Sequence, residues 1–404
     1  MGKAAVPMLA RFASVGRPVV VLLAIAAMVL AACSPAPPSA PADAVPGPTW
    51  PMRQTNLCAD TTLAPGGASS QAVYPVDELH RIARGEGQVV AVLDSGVSKV
   101  SRLDKLRGAG DYIVAKGDGL SDCDGHGTLI AGIIAAQPKP QDRFVGVAPG
   151  AEIVSIRLVS GAFGRDTSDW SLDNPPQGMS AQEKLADKIS TMGRAIVHAA
   201  NQGATVIAIP NAVCVPANTA ADLRDLDGAL RYAVNERRVV VVAAAGGWGF
   251  PCQGGAPDDG ASRSGAFAAE GVTVLPAHFA DRVLTVAGVR TDGGRYPNTM
   301  PGPDITVAAP ATDVVSLDPA EKTPGGLVNR RYVAGTPTPI DGNGFAVAQV
   351  AGLVALIRQS NPSASPEQIV RRIAATAKPA REDSDSTVGA GIVDPVAALS
   401  APWR

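Results

Sequence analysis

The chain has 404 residues, 46% apolar and 18% charged, the make-up of a folded globular protein with a sizeable core, which excludes disorder as its main state. Its 35 Lys plus Arg are balanced by 37 Asp plus Glu without any long basic run, so no nucleic-acid partner is expected. Aromatics make up only 4% while Gly (43) and Pro (34) are abundant, which favours short apolar strands and helices joined by many turns.

Lys3, Arg11 and Arg17 precede an apolar run from Val19 to Ala32. That run is shorter than the roughly 20 residues of a permanent membrane helix, so it reads as an export signal. It closes on Leu30, Ala31, Ala32 and Cys33, small residues before a cysteine, and so resembles the lipobox of bacterial lipoproteins. The resemblance implies a signal over residues 1–33 with Cys33 as the lipidated first residue of the mature chain; ordinary signal cleavage nearby, with Cys33 incidental, is the alternative. Acyl chains, at about 0.8 kcal/mol per buried methylene, would anchor the protein to the membrane. Residues 34–73 read as a Pro/Ala-rich tether and N-terminal extension. The stretch from Ser34 to Pro51 is expected to run extended without packing into a core.

Without Cys33 the chain keeps Cys58, Cys123, Cys214 and Cys252, an even number in an exported protein. A disulfide framework is the expectation, with three connectivities open. No C-x-x-C pair occurs, and His80, His126, His198 and His278 are scattered, so no metal or other cofactor is expected.

Residues 74–400 read as one domain. Apolar runs such as "QVVAVLDSG", "AEIVSIRLV", "TVIAIP", "VVVVAAAG" and "VLTVAGV" alternate with helical patterns. Strands that are continuously apolar predict an α/β fold whose mostly parallel sheet is covered by helices on both faces. Ile189, Met192, Ile196 and Ala199 share a helix face ending at Gly203, a suitable left-handed cap. Phe345 to Ile357 is apolar nearly all round and predicts a buried central helix. Ser365, Pro366 and Gln368 form an N-terminal capping signature for a helix stopped by Pro379. Gly161 to Lys184, rich in Gly, Asp, Ser and Pro, reads as a long surface loop.

In such a fold, chemistry gathers at the carboxyl ends of strands. Val89 to Leu93 leads directly into Asp94, Ser95 and Gly96, which places a carboxylate at a strand's end. "DGHGTLIAGIIAA" sets His126 between two glycines at the start of an apolar helix. Asp94 could equally be a turn residue and His126 a structural one. Together and in this order, followed by "GVAPGAEIVSIRL", they resemble the subtilisin-like serine proteases, whose triad runs Asp, His, Ser. "DGLSDCDGHGT", "FVGVAPGAEIVSIR", "VHAANQGATVI", "YAVNERRVVVVAAAG" and "VGAGIVDPVAAL" narrow the resemblance to the mycosins, proteases associated with type VII secretion in actinobacteria. The resemblance implies the subtilisin-like three-layer fold. It also implies Cys58 paired with Cys123 and Cys214 with Cys252, the positions where mycosins carry bonded cysteines.

The match breaks at three places. The family's nucleophile lies in G-T-S-[FMY]-A, and the aligned residues are Gly342, Asn343, Gly344, Phe345 and Ala346. Gly344 thus stands at the serine position, and no side chain there can be activated by a base. Thr336, Thr338 and Asn343 do not substitute: the threonines lie upstream of the helix start and asparagine is not nucleophilic. The oxyanion-hole asparagine is replaced by Gly247 in "AGG". Where mycosins carry N-x-S in the substrate-lining strand, this chain has Ala208, Ile209 and Pro210, and the proline removes a backbone donor from that edge. In subtilisin, a relative for which the number is already known, losing the nucleophile costs about 10⁶ in turnover.

The leading expectation is therefore a catalytically inactive mycosin-like protein, exported and held on the outer face of the cytoplasmic membrane, that acts as a scaffold or binding subunit for type VII secretion membrane components. Mycosins usually carry a carboxy-terminal transmembrane helix, and none follows "DPVAALSAPW", so the lipid at Cys33 is expected to serve as the anchor. An active serine endopeptidase and a non-cleaving receptor for exported protein or peptide substrates are the alternatives. His80, His198 and His278 are expected at the surface or in helix packing. Asp122 and Asp124 are expected to be solvated turn acids, and Trp170 and Trp248 packing residues.

Overall fold

A computed structural model describes residues 2, 39–64, 74–167, 179–216, 219–247, 252, 272–379 and 387–403. The signal segment, Cys33, Trp170 and Trp248 lie outside the described residues. Seven strands build the central sheet: β1 (Val89–Asp94), β2 (Leu106–Asp111), β3 (Glu152–Arg157), β4 (Val206–Ile209), β5 (Val240–Ala244), β6 (Val283–Val289) and β7 (Val307–Pro310). Their spatial order is β7-β6-β5-β4-β1-β3-β2, and every pairing is parallel. The expected α/β architecture is thus present, with β1 near the middle.

The uninterrupted apolar strands are explained by burial on both faces. Val90 and Val92 of β1 join one core, with Val206, Ala208, Val240 and Val242. Ala91 and Leu93 point the other way and join a second core, with Ile207, Ile209, Val241 and Ala243. A strand alternates its side chains between faces, so a sheet covered on both sides needs apolar residues at every position. The first core is covered by α1 (His126–Ala135) and α4 (Asn343–Ser360), the second by α2 (Ala181–Asn201) and α3 (Arg224–Arg231). In α4 every residue from Asn343 to Ile357 is buried, which is why the helix carries no polar face. Helix α5 (Pro366–Ala375) starts with the expected capping box, Ser365 accepting from the Gln368 amide and Gln368 accepting from the Ser365 amide. Helix α2 ends just before Gly203, whose φ is +86°.

Both disulfides join the expected partners, Cys58 with Cys123 and Cys214 with Cys252. Two sequence expectations need correction. Gly161 to Lys184 is not one long loop. Phe163–Arg165 pairs antiparallel with Met52–Gln54, and α2 begins at Ala181 behind a Ser180/Glu183 capping box. Likewise the Pro/Ala-rich stretch is no free tether from Ser39 onward. Ala40 packs on the second core, and Asp43 is hydrogen-bonded to His198 of α2 at 2.8 Å and accepts from Asn201 Nδ2 at 2.8 Å. Thr61–Thr62 pairs with Arg330–Val333, which in turn pairs with Thr336–Pro339. Short polar contacts and strand pairing thus hold a segment whose composition cannot build a core of its own.

Candidate active site

Asp94 is the last residue of β1 and His126 the first of α1. They meet because two glycines let the backbones close in. A Cβ at Gly127 would lie 1.9 Å from the Gly96 carbonyl oxygen, and one at Gly96, where φ is +99°, would lie 2.2 Å from the Ser121 carbonyl oxygen. The glycines of "DSG" and "HGT" are therefore steric requirements of the approach. His126 Nδ1 lies 2.7 Å from Asp94 Oδ2 and 3.0 Å from Oδ1, and the Asp94 carboxylate also accepts from the Ser95 amide at 2.6 Å. Asp94 is 1% exposed while the His126 side chain is 29% exposed, so the pair opens to solvent on the imidazole side.

Burial acts to lower the imidazole's proton affinity. The charge and hydrogen bond of Asp94, helped by Asp122 and opposed by Arg331, outweigh it and hold His126 above its ordinary value of 6.5. The ring of Phe345 packs on the imidazole, centroids 5.1 Å apart.

Asp122 is not a solvated turn acid. One carboxylate oxygen accepts from Ser95 Oγ and the Gly125 amide, both at 2.8 Å; the other accepts from the Thr128 amide at 2.8 Å and Thr128 Oγ1 at 2.6 Å. Ser95 Oγ accepts in turn from the Gly127 amide at 3.0 Å. These bonds satisfy leading amides of α1 that have no intrahelical acceptor and tie the loop carrying His126 to the strand end carrying Asp94. Burial pushes Asp122 up to about 6, against the pull of its Thr128 and Ser95 hydrogen bonds. Asp124 is also engaged, accepting from Ser160 Oγ at 2.5 Å and the Gly161 amide at 2.7 Å. Both acids read as surface residues because sequence does not reveal which donors fold back onto a turn; the only signal was their position just ahead of a helix start.

Gly344 lies in the first turn of α4 and faces the same place. A Cβ built on it would lie 3.1 Å from His126 Cε1 and 3.0 Å from Pro210 Cβ. Asp94, His126 and Gly344 are thus brought together, and Gly344 has only a bare α-carbon beside the imidazole. Asn343 does not fill the gap. Its Nδ2 donates to the Gly246 carbonyl, and its Oδ1 accepts from Thr299 Oγ1 at 2.8 Å and the Gly288 amide at 3.1 Å. Gly247 follows β5 and bridges to Thr299. Thr336 and Thr338 sit in the Thr336–Pro339 strand, where Thr338 Oγ1 donates to the Arg331 carbonyl. His80 and His198 bond to the Val147 and Ala109 carbonyls, at 3.0 and 2.8 Å, and His278 is exposed. Among the described residues no three His, Cys, Asp or Glu side chains gather as a metal site.

Residues 85–391 match the subtilase family of peptidases. Mycosin-1 of Mycobacterium tuberculosis is 40% identical over 395 residues, covering 94% of this chain and 86% of that protein. Mycosin-4 of the same organism is 40% identical over 367 residues, covering 89% of this chain and 76% of the relative. Among solved structures, the MycP3 protease from the type VII (ESX-3) secretion system superposes with a TM-score of 0.79 at 37% identity, covering 90% of this chain and 97% of that one. A chain in the periplasmic assembly of the ESX-5 inner membrane complex gives 0.77 at 38% identity, over 91% and 95%.

Proposed function

The chain belongs to the subtilase family and, within it, to the mycosins, and on that premise we propose that it is a mycosin without proteolytic activity, serving a type VII secretion complex as a scaffold or binding subunit. One observation carries the reading: Gly344 occupies the position beside His126 from which a serine would have to attack. A triad works because the base removes a proton from a nucleophile, and here the base and its orienting carboxylate have no proton to take. Loss of the nucleophile alone removes about 10⁶ in turnover, roughly 8 kcal/mol of barrier, and the missing oxyanion amide weakens what is left. The similarity to a chain of the ESX-5 periplasmic assembly supports a place in the cell envelope beside such a complex. Lipidation at Cys33 supplies the anchor in this reading.

Asp94 and His126 keep their hydrogen bond at 2.7 Å, and relatives of this chain are called proteases, which favours active endopeptidase as the second reading. A fluorophosphonate probe decides between them. The full chain is expected to remain unlabelled and to leave a mixed-peptide substrate intact, whereas labelling lost on His126→Ala would establish an active serine hydrolase. Co-purification with secretion components from detergent-solubilised membranes is expected, and its absence would remove the scaffold role.

A further inference from the structure

Ser95 stands between two carboxylates. Its amide donates to Asp94 Oδ1 at 2.6 Å, and its hydroxyl donates to Asp122 Oδ1 at 2.8 Å while accepting from the Gly127 amide at 3.0 Å. Thr128 repeats the arrangement from the other side. Its Oγ1 accepts from the Ser98 amide at 2.9 Å and donates to Asp122 Oδ2 at 2.6 Å. These directions are fixed, because an amide N–H can only donate and a hydroxyl has one proton to give. The Gly125 and Thr128 amides donate to the same carboxylate, both at 2.8 Å. Asp122 thus takes four donors and offers none, which an ionised carboxylate does and an amide side chain cannot. The loop after β1 and the start of α1 are crossed twice, Gly127 to Ser95 and Ser98 to Thr128, and Asp122 closes both crossings.

We propose that Asp122 is a positioning residue for His126, acting through Ser95 and Thr128 to hold the imidazole against Asp94. Among the described residues no hydrogen bond joins Asp122 to the imidazole itself, so the effect travels through backbone. The amides on either side of His126 are both pinned, Gly125 to Asp122 and Gly127 to Ser95, and the Ser95 amide steadies the Asp94 carboxylate that receives the ring. The residues that follow Asp122 tie the same turn outward, Cys123 to Cys58 and Asp124 to Ser160 and Gly161, which leaves Asp122 as its inward tie. Asparagine has the same shape but would turn an amino group towards donors, leaving them unpaired. The inference does not depend on what position 344 can do, because none of these contacts involves Gly344.

The test follows the His126 titration by NMR in the full chain, for the parent, Asp122→Asn, Ser95→Ala and Ser365→Ala. The charge of Asp122 also favours the His126 proton directly, so Asp122→Asn alone does not separate positioning from electrostatics. Ser95→Ala does, because it removes the link and changes no charge. Both variants are expected to bring the His126 midpoint down towards 6.5 by about half a unit or more, roughly a threefold loss of proton affinity, as the Asp94 contact loosens. The Nδ1 proton shared with Asp94 is expected to exchange faster with solvent in both. Ser365→Ala, which removes the cap of α5, is expected to lose stability and leave the midpoint where it was. An unchanged or raised midpoint in either site variant would overturn the proposal, and so would an equal fall in Ser365→Ala, since the signal would then follow overall stability. If Asp122→Asn does not fold, Ser95→Ala decides by itself.

Discussion

His126 stands between two opposed effects, burial that disfavours its charge and an Asp94 carboxylate that rewards it, and the carboxylate wins. The sign of the consequence follows from linkage. A histidine whose proton is held more tightly in the fold adds stability that is fully present below its ordinary value of 6.5 and is lost as the pH rises through the raised value. His126→Gln is therefore expected to cost more stability in urea melts at about pH 6 than at about pH 8.5. An equal cost at both would show that Asp94 does not bias the imidazole, and Asp94→Asn should lower the His126 titration seen by NMR. Asp94 and His126 stand out in the sequence because the glycines beside them are demanded by backbone contact. The hydrogen bonds of Asp122, Ser95 and Thr128 are not legible there, because the donors converging on the carboxylate come from two segments, Ser95 after β1 and Gly125 with Thr128 at the start of α1.

At the scale of elements, the helix starts differ in how local their causes are. Helix α5 begins with a box closed by residues three apart, Ser365 and Gln368, which sequence alone displays. Ser365→Ala is expected to cost about 1 kcal/mol and Ser365→Gly only a few tenths, measured by denaturant unfolding; similar costs for both would mean that the serine oxygen is not the cap. Helix α1 has no such local cap, since Gly125 precedes it with φ +75° and its amides bond to Asp122 and to Ser95 on another segment. The start of α2 was misplaced for another reason: Gly, Asp, Ser and Pro dominate the approach and hid the Ser180/Glu183 box. Phe163–Arg165 likewise has no strand pattern of its own and is ordered by Met52–Gln54.

Across the whole molecule, the disulfide between Cys58 and Cys123 joins the N-terminal extension to the loop that carries His126 and closes 65 residues of chain. In the chain-entropy account a loop of that length is worth about 4 kcal/mol. Replacing both cysteines by alanine is expected to lower unfolding stability by about 2 to 5 kcal/mol. The His126 NMR signal should also broaden or shift as the loop loosens; an unchanged Tm and signal would show that the strand pairing of Thr61–Thr62 suffices. The sequence by itself determined the layered α/β architecture and the family, because two-sided burial forces continuous apolar strands and close backbone approach forces glycines at fixed places in the motifs. It also determined that position 344 has no side chain to offer, since glycine carries none in any fold. Only the tertiary structure decided that Pro210 and His126 lie next to Gly344 and that the Pro-rich segment lies down on α2. Such contacts depend on ångström-level separations between segments far apart in the chain, and no local pattern encodes them.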